Sequence, residues 1–132
     1  MGTDGGRRVE KGLVENELSR LVIGLIFEVY NQLGYGLSEK IYQAAFEEEL
    51  CQHKIRYHRE KYGKIRYKEK IVGRYFIDFV IDDTIAVELK VRNEIYQTHL
   101  NQLLNYIKSE NYRIGLLLAI SKQGVLIKRL VN

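Results

Sequence analysis

The chain has 132 residues, of which 45% are hydrophobic, and a net charge of +4, which predicts one globular domain with a core of its own. Its longest apolar runs, such as residues 116–120, are too short to cross a membrane. The first residues lack the apolar segment of a secretory signal, so neither a membrane protein nor a secreted one is expected. The single Cys51 excludes an internal disulfide and favours a reducing cytoplasm. The positive charge is compatible with a nucleic-acid partner but is too mild to require one.

The N-terminal part predicts a leader and an amphipathic helix. Residues 1–14 are rich in glycine and charge and show no periodicity, so we expect a disordered leader followed by a single domain over residues 15–132. From Glu15 to Leu33 apolar residues recur at helical spacing, and Gly34 follows as a C-terminal cap. We assign this helix a packing role.

A second helix is predicted from about Glu39 to His53, with Ser38 as its N-cap. Gly36 lies in the turn before it, where glycine permits unusual backbone angles. Glu39 in the first turn suits the positive end of the helix dipole, which is a common role for such a glutamate. Tyr42, one turn further on the same face, is compatible with the core or with a hydrogen bond to a carboxylate or phosphate.

Residues 54–72 are dense in basic residues with tyrosines between them. Such a pattern suits phosphate contact and base stacking. Lysines that keep an edge strand from pairing with a second sheet give a similar composition, so both interpretations stay open. Strands are expected near residues 55–57 and 65–67, and a turn is expected within residues 68–73.

Residues 75–91 contain two alternating apolar runs on either side of Asp82-Asp83-Thr84, which predicts a β-hairpin. One face of this hairpin is wholly apolar if all three residues form the loop, with Asp83 or Thr84 near the left-handed region. The resulting pairs are Ile81 with Ile85, Phe79 with Val87 and Ile77 with Leu89.

The same register places Asp78 opposite Glu88, with Lys90 two residues further on the same face. Carboxylates roughly 5 Å apart across a ladder repel each other unless one is protonated or a cation lies between them. Two carboxylates suit Mg²⁺ or Mn²⁺, and the carbonyl of Leu89 is a candidate further ligand. Lys90 is then placed to assist an attacking water or to offset charge on a phosphoryl group. The alternative, a solvated ion cluster, is disfavoured by the apolar flanking residues.

The C-terminal part predicts a helix over residues 95–109 and strands over residues 112–120 and 125–131. His99, Gln102 and Tyr106 share a stripe of this helix that could line the site beside Lys90, and the role of His99 stays open. There Gln102 is predicted to bond a water or a catalytic carboxylate, and Tyr106 to support it or to touch phosphate. Their alternative roles are a surface amide and a half-buried tyrosine. The strand–helix–strand step implies one parallel pair in an otherwise antiparallel sheet.

Three motifs together carry a family resemblance: Asp78 with Glu88-x-Lys90, Gly36-x-x-Glu39-x-x-Tyr42, and Gln102-x-x-x-Tyr106. The first resembles the signature of PD-(D/E)XK nucleases, the second the branch of that superfamily named GxxExxY, and the third a motif of RecB-like exonucleases. The resemblance runs from about Glu17 to the C-terminus. It implies a restriction-endonuclease-like fold that contains both helices and strands. Helices flank a mixed sheet, so within the broad α/β group the fold is of the α+β class. One helix and one strand are added to its αβββαβ core. A departure is Ile77 before Asp78, where the superfamily commonly has proline.

The resemblance implies a Mg²⁺-dependent or Mn²⁺-dependent nuclease that hydrolyses DNA. Asp78 and Glu88 would hold the metal, Lys90 would assist the attacking water, and Glu39 and Gln102 would complete the site. Endonuclease or exonuclease activity, and DNA or RNA as substrate, stay open. The alternatives are a non-cleaving nucleic-acid-binding module and a protein-interaction domain with a vestigial site. A homodimer is compatible with such a small nuclease.

Overall fold

The computed structural model describes the backbone of residues 2–132 and the side chains of residues 16–132. The leader predicted over residues 1–14 lies outside the residues whose side chains are described. The described elements are α1 (Gly2–Leu33), α2 (Glu39–Gln52), β1 (Tyr57–Tyr67), β2 (Lys70–Ile81), β3 (Ile85–Val91), α3 (Gln97–Ser109), β4 (Ile114–Ser121) and β5 (Gly124–Val131). Their order is the predicted one. Among the described residues, no helix combines the length and the apolar character needed to span a membrane.

The strands form one mixed sheet in the order β1-β2-β3-β4-β5. Strands β3 and β4 run parallel, with Ile85 opposite Ile114, and the other neighbours are antiparallel. Helix α3 provides the crossover, because a parallel neighbour cannot be reached through a tight turn. Strand β4 is buried along its whole length, as is typical of a strand with neighbours on both sides. The predicted α+β class and the single parallel pair are confirmed.

Apolar side chains pack on both faces of the sheet, with α1 and α2 on one face and α3 on the other. Phe46 of α2 meets Phe79 of β2 edge to face, with ring centroids 5.0 Å apart, a contact worth about 1 kcal/mol beyond the buried area. On the opposite face, a side chain on Gly115 would begin 3.1 Å from Leu103 and 3.2 Å from Ile107. Glycine at this position of β4 therefore permits the close approach of α3.

The β2–β3 hairpin has the predicted register and the predicted three-residue loop. Its pairs are Phe79 with Val87, Val80 with Ala86 and Ile81 with Ile85. Asp83, the middle loop residue, has a φ of 55° as expected, and Asp82 before it has a φ of 50°. Aspartate tolerates this left-handed conformation better than most residues.

The predicted third pair, Ile77 with Leu89, does not form, because β2 leaves β3 beyond Phe79. Phe79 packs on the α1–α2 face, whereas Ile77 packs on the α3 face. The alternation of side chains between the two faces of the sheet is therefore interrupted at Asp78, the residue between them. On the neighbouring β1, Glu60 has a φ of 54° and is left out of the regular pairing. Asp78 stands at this irregularity, where the sheet divides.

Beyond that point β1 and β2 continue as a two-stranded ribbon. Their pairing runs from residue 57 to residue 67 on β1 and from residue 81 back to residue 70 on β2. We use the term ribbon for residues 61–76. Its turn lies at Lys68 and Glu69, with φ values of 47° and 68°, which confirms the turn predicted within residues 68–73.

One face of the ribbon is covered by α3. The ring of Tyr75 stacks on that of Tyr106 with centroids 4.0 Å apart, and its hydroxyl donates to Glu110 Oε1 at 2.8 Å. Gly63 pairs with Tyr75 across the ribbon. A Cβ on Gly63 would clash with the Tyr75 ring. The ring thus occupies the space that any other residue at this position would need.

Candidate active site

Asp78 and Glu88 lie side by side where β2 and β3 separate. The Leu89 N–H donates to Asp78 Oδ2 at 2.9 Å, and the Asp78 N–H donates to Glu88 Oε1 at 3.3 Å. Each carboxylate thus accepts a hydrogen bond from the backbone of the other strand. These bonds satisfy N–H groups at the point where the regular ladder ends. The two carboxylates predicted to be neighbours are therefore brought together.

Burial makes this pair reluctant to ionise. Glu88 is 7% exposed, and burial, together with the charge of Asp78, raises its pKa to about 8 in spite of Lys90 and the Asp78 N–H. Burial also raises the pKa of Asp78, against the opposing effects of the Leu89 N–H and Lys90. In the absence of a cation, the site therefore favours a state in which at least one carboxyl group is protonated.

Lys90 completes the predicted trio. Its Nζ lies 3.7 Å from Glu88 Oε2, and its charge acts on both Asp78 and Glu88. Because a single ammonium lowers the pKa of Glu88 less than burial and Asp78 raise it, Lys90 does not neutralise the pair. Further positive charge would be accommodated here.

The donor set fits a hard divalent cation. The backbone hydrogen bonds described above use one oxygen of each carboxylate, so Asp78 Oδ1 and Glu88 Oε2 accept no backbone hydrogen bond. Oxygen is the ligand that Mg²⁺ prefers. Within residues 16–132, no group of three His, Cys, Asp or Glu side chains is arranged to hold a metal ion. The fit is therefore two carboxylates, with the carbonyl of Leu89 as candidate third ligand, and waters for the remainder. Mg²⁺ usually keeps several waters in such sites.

Glu39 approaches the site from the first turn of α2. Its Oε1 accepts the N–H of Val91 at 3.2 Å, which anchors the start of α2 to the end of β3. The charge of Glu39 also contributes to raising the pKa of Asp78. The structure thus brings Glu39 to the edge of the carboxylate pair, on the side away from α3.

Tyr42 is turned away from the carboxylates. It is fully buried, and its hydroxyl donates to the Gly34 carbonyl at 2.5 Å and accepts the Leu37 N–H at 3.2 Å. Gly36, within this loop, has a φ of 119°, a region nearly restricted to glycine. Gly36 and Tyr42 therefore shape and fasten the loop from which Glu39 emerges.

Tyr106 borders the site, and Gln102 lies further out. The charges of Glu88 and Asp78 add to burial in raising the pKa of Tyr106, so its hydroxyl lies within their field. Gln102 is exposed and lines an open groove of about 560 Å³ with Tyr75 and Tyr106. Among the described residues, no hydrogen bond joins Gln102 to either carboxylate.

Arg92 is a site neighbour that the sequence reasoning missed, and His99 is one whose role it left open. Arg92 Nη1 lies 3.0 Å from His99 Nε2, and the Tyr96 N–H points to His99 Nδ1 at 3.3 Å. A neutral imidazole has one lone pair, so one of these contacts is a full hydrogen bond. Burial and the charges of Arg92 and Lys90 lower the pKa of His99. The available signal was the spacing of Arg92, two residues after Lys90.

Comparisons with known proteins concern the fold and the family of the chain. Among solved structures, one described as "Crystal structure of SSO0001" aligns with a TM-score of 0.55 and 18% identity, over 71% of this chain and 50% of that one. The chain thus spans about half the length of that structure, and the likeness supports a restriction-endonuclease-like fold. A search of curated proteins gives no match. The model of the PD-(D/E)XK nuclease superfamily matches residues 16–130, and the chain belongs to this superfamily.

Proposed function

We propose that the chain is a metal-dependent nuclease that hydrolyses DNA phosphodiester bonds. The observation that carries the proposal is the pair of buried Glu88 and half-buried Asp78, in which each carboxylate retains an oxygen beyond its backbone bond. Asp78, Glu88 and the carbonyl of Leu89 would hold Mg²⁺ or Mn²⁺, and Glu39 would supply a further ligand directly or through water. When bound, the cation would stabilise negative charge on the phosphate under attack.

The side chains around the pair have separate roles in this proposal. Lys90 orients the attacking water and offsets charge on the phosphate oxygens, since its ammonium lies beside Glu88. Tyr106 and Gln102 border the substrate on the α3 side. During hydrolysis the water gives up a proton as its oxygen bonds to phosphorus, one bridging P–O bond breaks, and the departing oxygen takes up a proton.

We also propose membership of the GxxExxY branch, because its three named positions act as one unit here. Tyr42 and Gly36 define the loop, and Glu39 reaches the end of β3. A cytoplasmic location and a homodimer are kept as predictions from the sequence.

The test is cleavage of labelled single-stranded and double-stranded DNA with Mg²⁺ or Mn²⁺. We expect Glu88→Gln and Lys90→Ala each to lower the rate at least about 100-fold, and EDTA to abolish cleavage. Lys128→Ala, which removes an exposed lysine of β5, serves as the matched control and should cleave like the wild type. Cleavage that persists in Glu88→Gln would contradict the proposed site.

A second candidate is a nucleic-acid-binding or protein-interaction module that retains the fold without cleaving. It is favoured by the absence, among the described residues, of a third side chain that completes a metal group. Tight DNA binding that is insensitive to EDTA, without cleavage by the wild type under any of these conditions, would establish the binding form of this candidate.

A further inference from the structure

Within the part of the chain that the structure describes, the ribbon has an uncovered face, opposite to the one that packs on α3. On it Tyr62 and Phe76 pair across the strands, with ring centroids 5.5 Å apart, and Phe76 is 59% exposed. Lys64 and Arg74 form a pair two positions further along, with Lys64 Nζ 5.8 Å from the centre of the Tyr62 ring. An open aromatic pair is thus followed by a pair of cations.

Among the residues described with side chains, the cations of the ribbon lack acidic partners. The ribbon has one acidic residue, Glu69, and six basic ones: Lys61, Lys64, Arg66, Lys68, Lys70 and Arg74. Within residues 16–132, none of the six takes part in an ion pair. Nearer the core, by contrast, Arg56 pairs with Asp82 and Asp83, and Arg59 with Glu47. Uncompensated charge of one sign attracts a polyanion and repels itself in its absence.

Protection of an edge strand explains only part of this surface. Lysines on β1 would keep the edge from pairing with another sheet. Exposed rings have the opposite effect, since they favour association with other apolar surfaces. The combination of rings with unpaired cations matches surfaces that bind single strands, where bases stack on aromatic side chains and cations follow the phosphates.

We propose that the uncovered face of the ribbon binds a single-stranded segment of nucleic acid, with a base on the Tyr62–Phe76 pair and phosphates at Lys64 and Arg74. Unpaired bases offer free faces for stacking, which bases inside a duplex do not. Phe76 lies two residues from Asp78 on β2, about 7 Å along the strand. The proposed surface therefore adjoins the point where the sheet divides, at which Asp78 lies. This inference rests on the proposed function, because it names the form of substrate that the site receives.

The test measures binding of a fluorescently labelled 15-nucleotide single strand, and of the matching duplex, by anisotropy in EDTA. Phe76→Leu keeps an apolar side chain but removes the stacking face, and we expect it to weaken single-strand binding about tenfold. The control is Tyr35→Leu, which alters an exposed ring on the α1–α2 loop and should leave binding unchanged.

A second arm tests the cations through salt dependence. For Arg74→Gln, the slope of log affinity against log salt concentration should fall by about 0.7, the value for loss of one phosphate contact on a single strand. Arg56→Gln removes the same charge from an ion-paired position and should leave the slope as in the wild type.

Three results would overturn the inference. These are unchanged single-strand binding by Phe76→Leu, tighter binding of the duplex than of the single strand, and a dimer in sedimentation that disappears in Phe76→Leu. The last would make this face a contact between two copies of the chain. Failure of the nuclease proposal looks different, since cleavage would be absent while ribbon-dependent binding remained.

Discussion

The carboxyl group of Glu88 makes folding depend on pH. In the folded chain its pKa is raised to about 8 by burial and by Asp78, from an ordinary value of 4.5. Between these values the folded state holds a proton that the unfolded state has released. The free energy of unfolding therefore falls as pH rises through this window. For a shift of this size the loss is of the order of 5 kcal/mol.

We expect Glu88→Gln to flatten this dependence, because the amide keeps an acceptor for the Asp78 N–H without carrying charge. In EDTA the wild type should lose stability from about pH 5 to about pH 8, and the variant should be the more stable of the two at the upper end. Urea denaturation at a series of pH values gives the measurement. Glu17→Gln, a change at an exposed glutamate, should follow the wild type, and equal slopes for Glu88→Gln and wild type would refute the raised pKa.

At the residue scale, sequence reasoning succeeds where strand geometry dictates the neighbour. Asp78, Glu88 and Lys90 could be placed together because side chains alternate along strands and burial selects the register. The hydrogen-bond partners of Tyr42 could not be predicted in this way, because they depend on the path of the loop from Gly34 to Leu37. Such a path has no periodic signature.

At the scale of elements, the ribbon is joined to α3 through Tyr75. Gly63→Ala would push a Cβ into the buried Tyr75 ring and disturb its stack on Tyr106. We expect a loss of about 1–3 kcal/mol in the free energy of unfolding, the usual cost of overpacking.

The same substitution in a Tyr75→Ala background should cost much less, since the obstructing ring is gone. A double-mutant cycle in urea separates this steric coupling from the general effect of changing a strand residue. A full cost of Gly63→Ala in both backgrounds would show that Tyr75 is not the cause.

The order, types and parallel step of the elements could all be predicted, because each follows from periodicity or from the need for a crossover. The division of the sheet at Asp78 could not be predicted. It combines a left-handed residue on β1 with a change of face on β2, and neither leaves a mark on the apolar pattern of β2. The prediction of Ile77 opposite Leu89 was wrong for this reason.

At the scale of the whole molecule, a bound cation should be linked to folding. A cation at ten times its dissociation constant stabilises the folded state by about 1.4 kcal/mol, which corresponds to about 4 °C in the unfolding midpoint for a chain of this size. We expect Mg²⁺ to raise the midpoint at about pH 8 and to raise it less at about pH 6, where protons compete for Glu88.

Thermal scans of wild type, Asp78→Asn and Glu17→Gln check this expectation. The rise should vanish in Asp78→Asn, which retains the shape of the side chain, and should persist in Glu17→Gln. An equal rise in Asp78→Asn would place the cation elsewhere on the molecule.

The two hydrogen bonds donated by backbone amides across the divided hairpin also allow the site to be followed by spectroscopy. The chain contains no tryptophan, so it has no indole fluorescence to follow at the site. The amides of Asp78 and Leu89, however, donate to the carboxylates themselves. Their nuclear magnetic resonance frequencies and their solvent exchange are thereby tied to the charge and orientation of those groups. The amide protons of Asp78 and Leu89 thus report on the state of a site that has no chromophore.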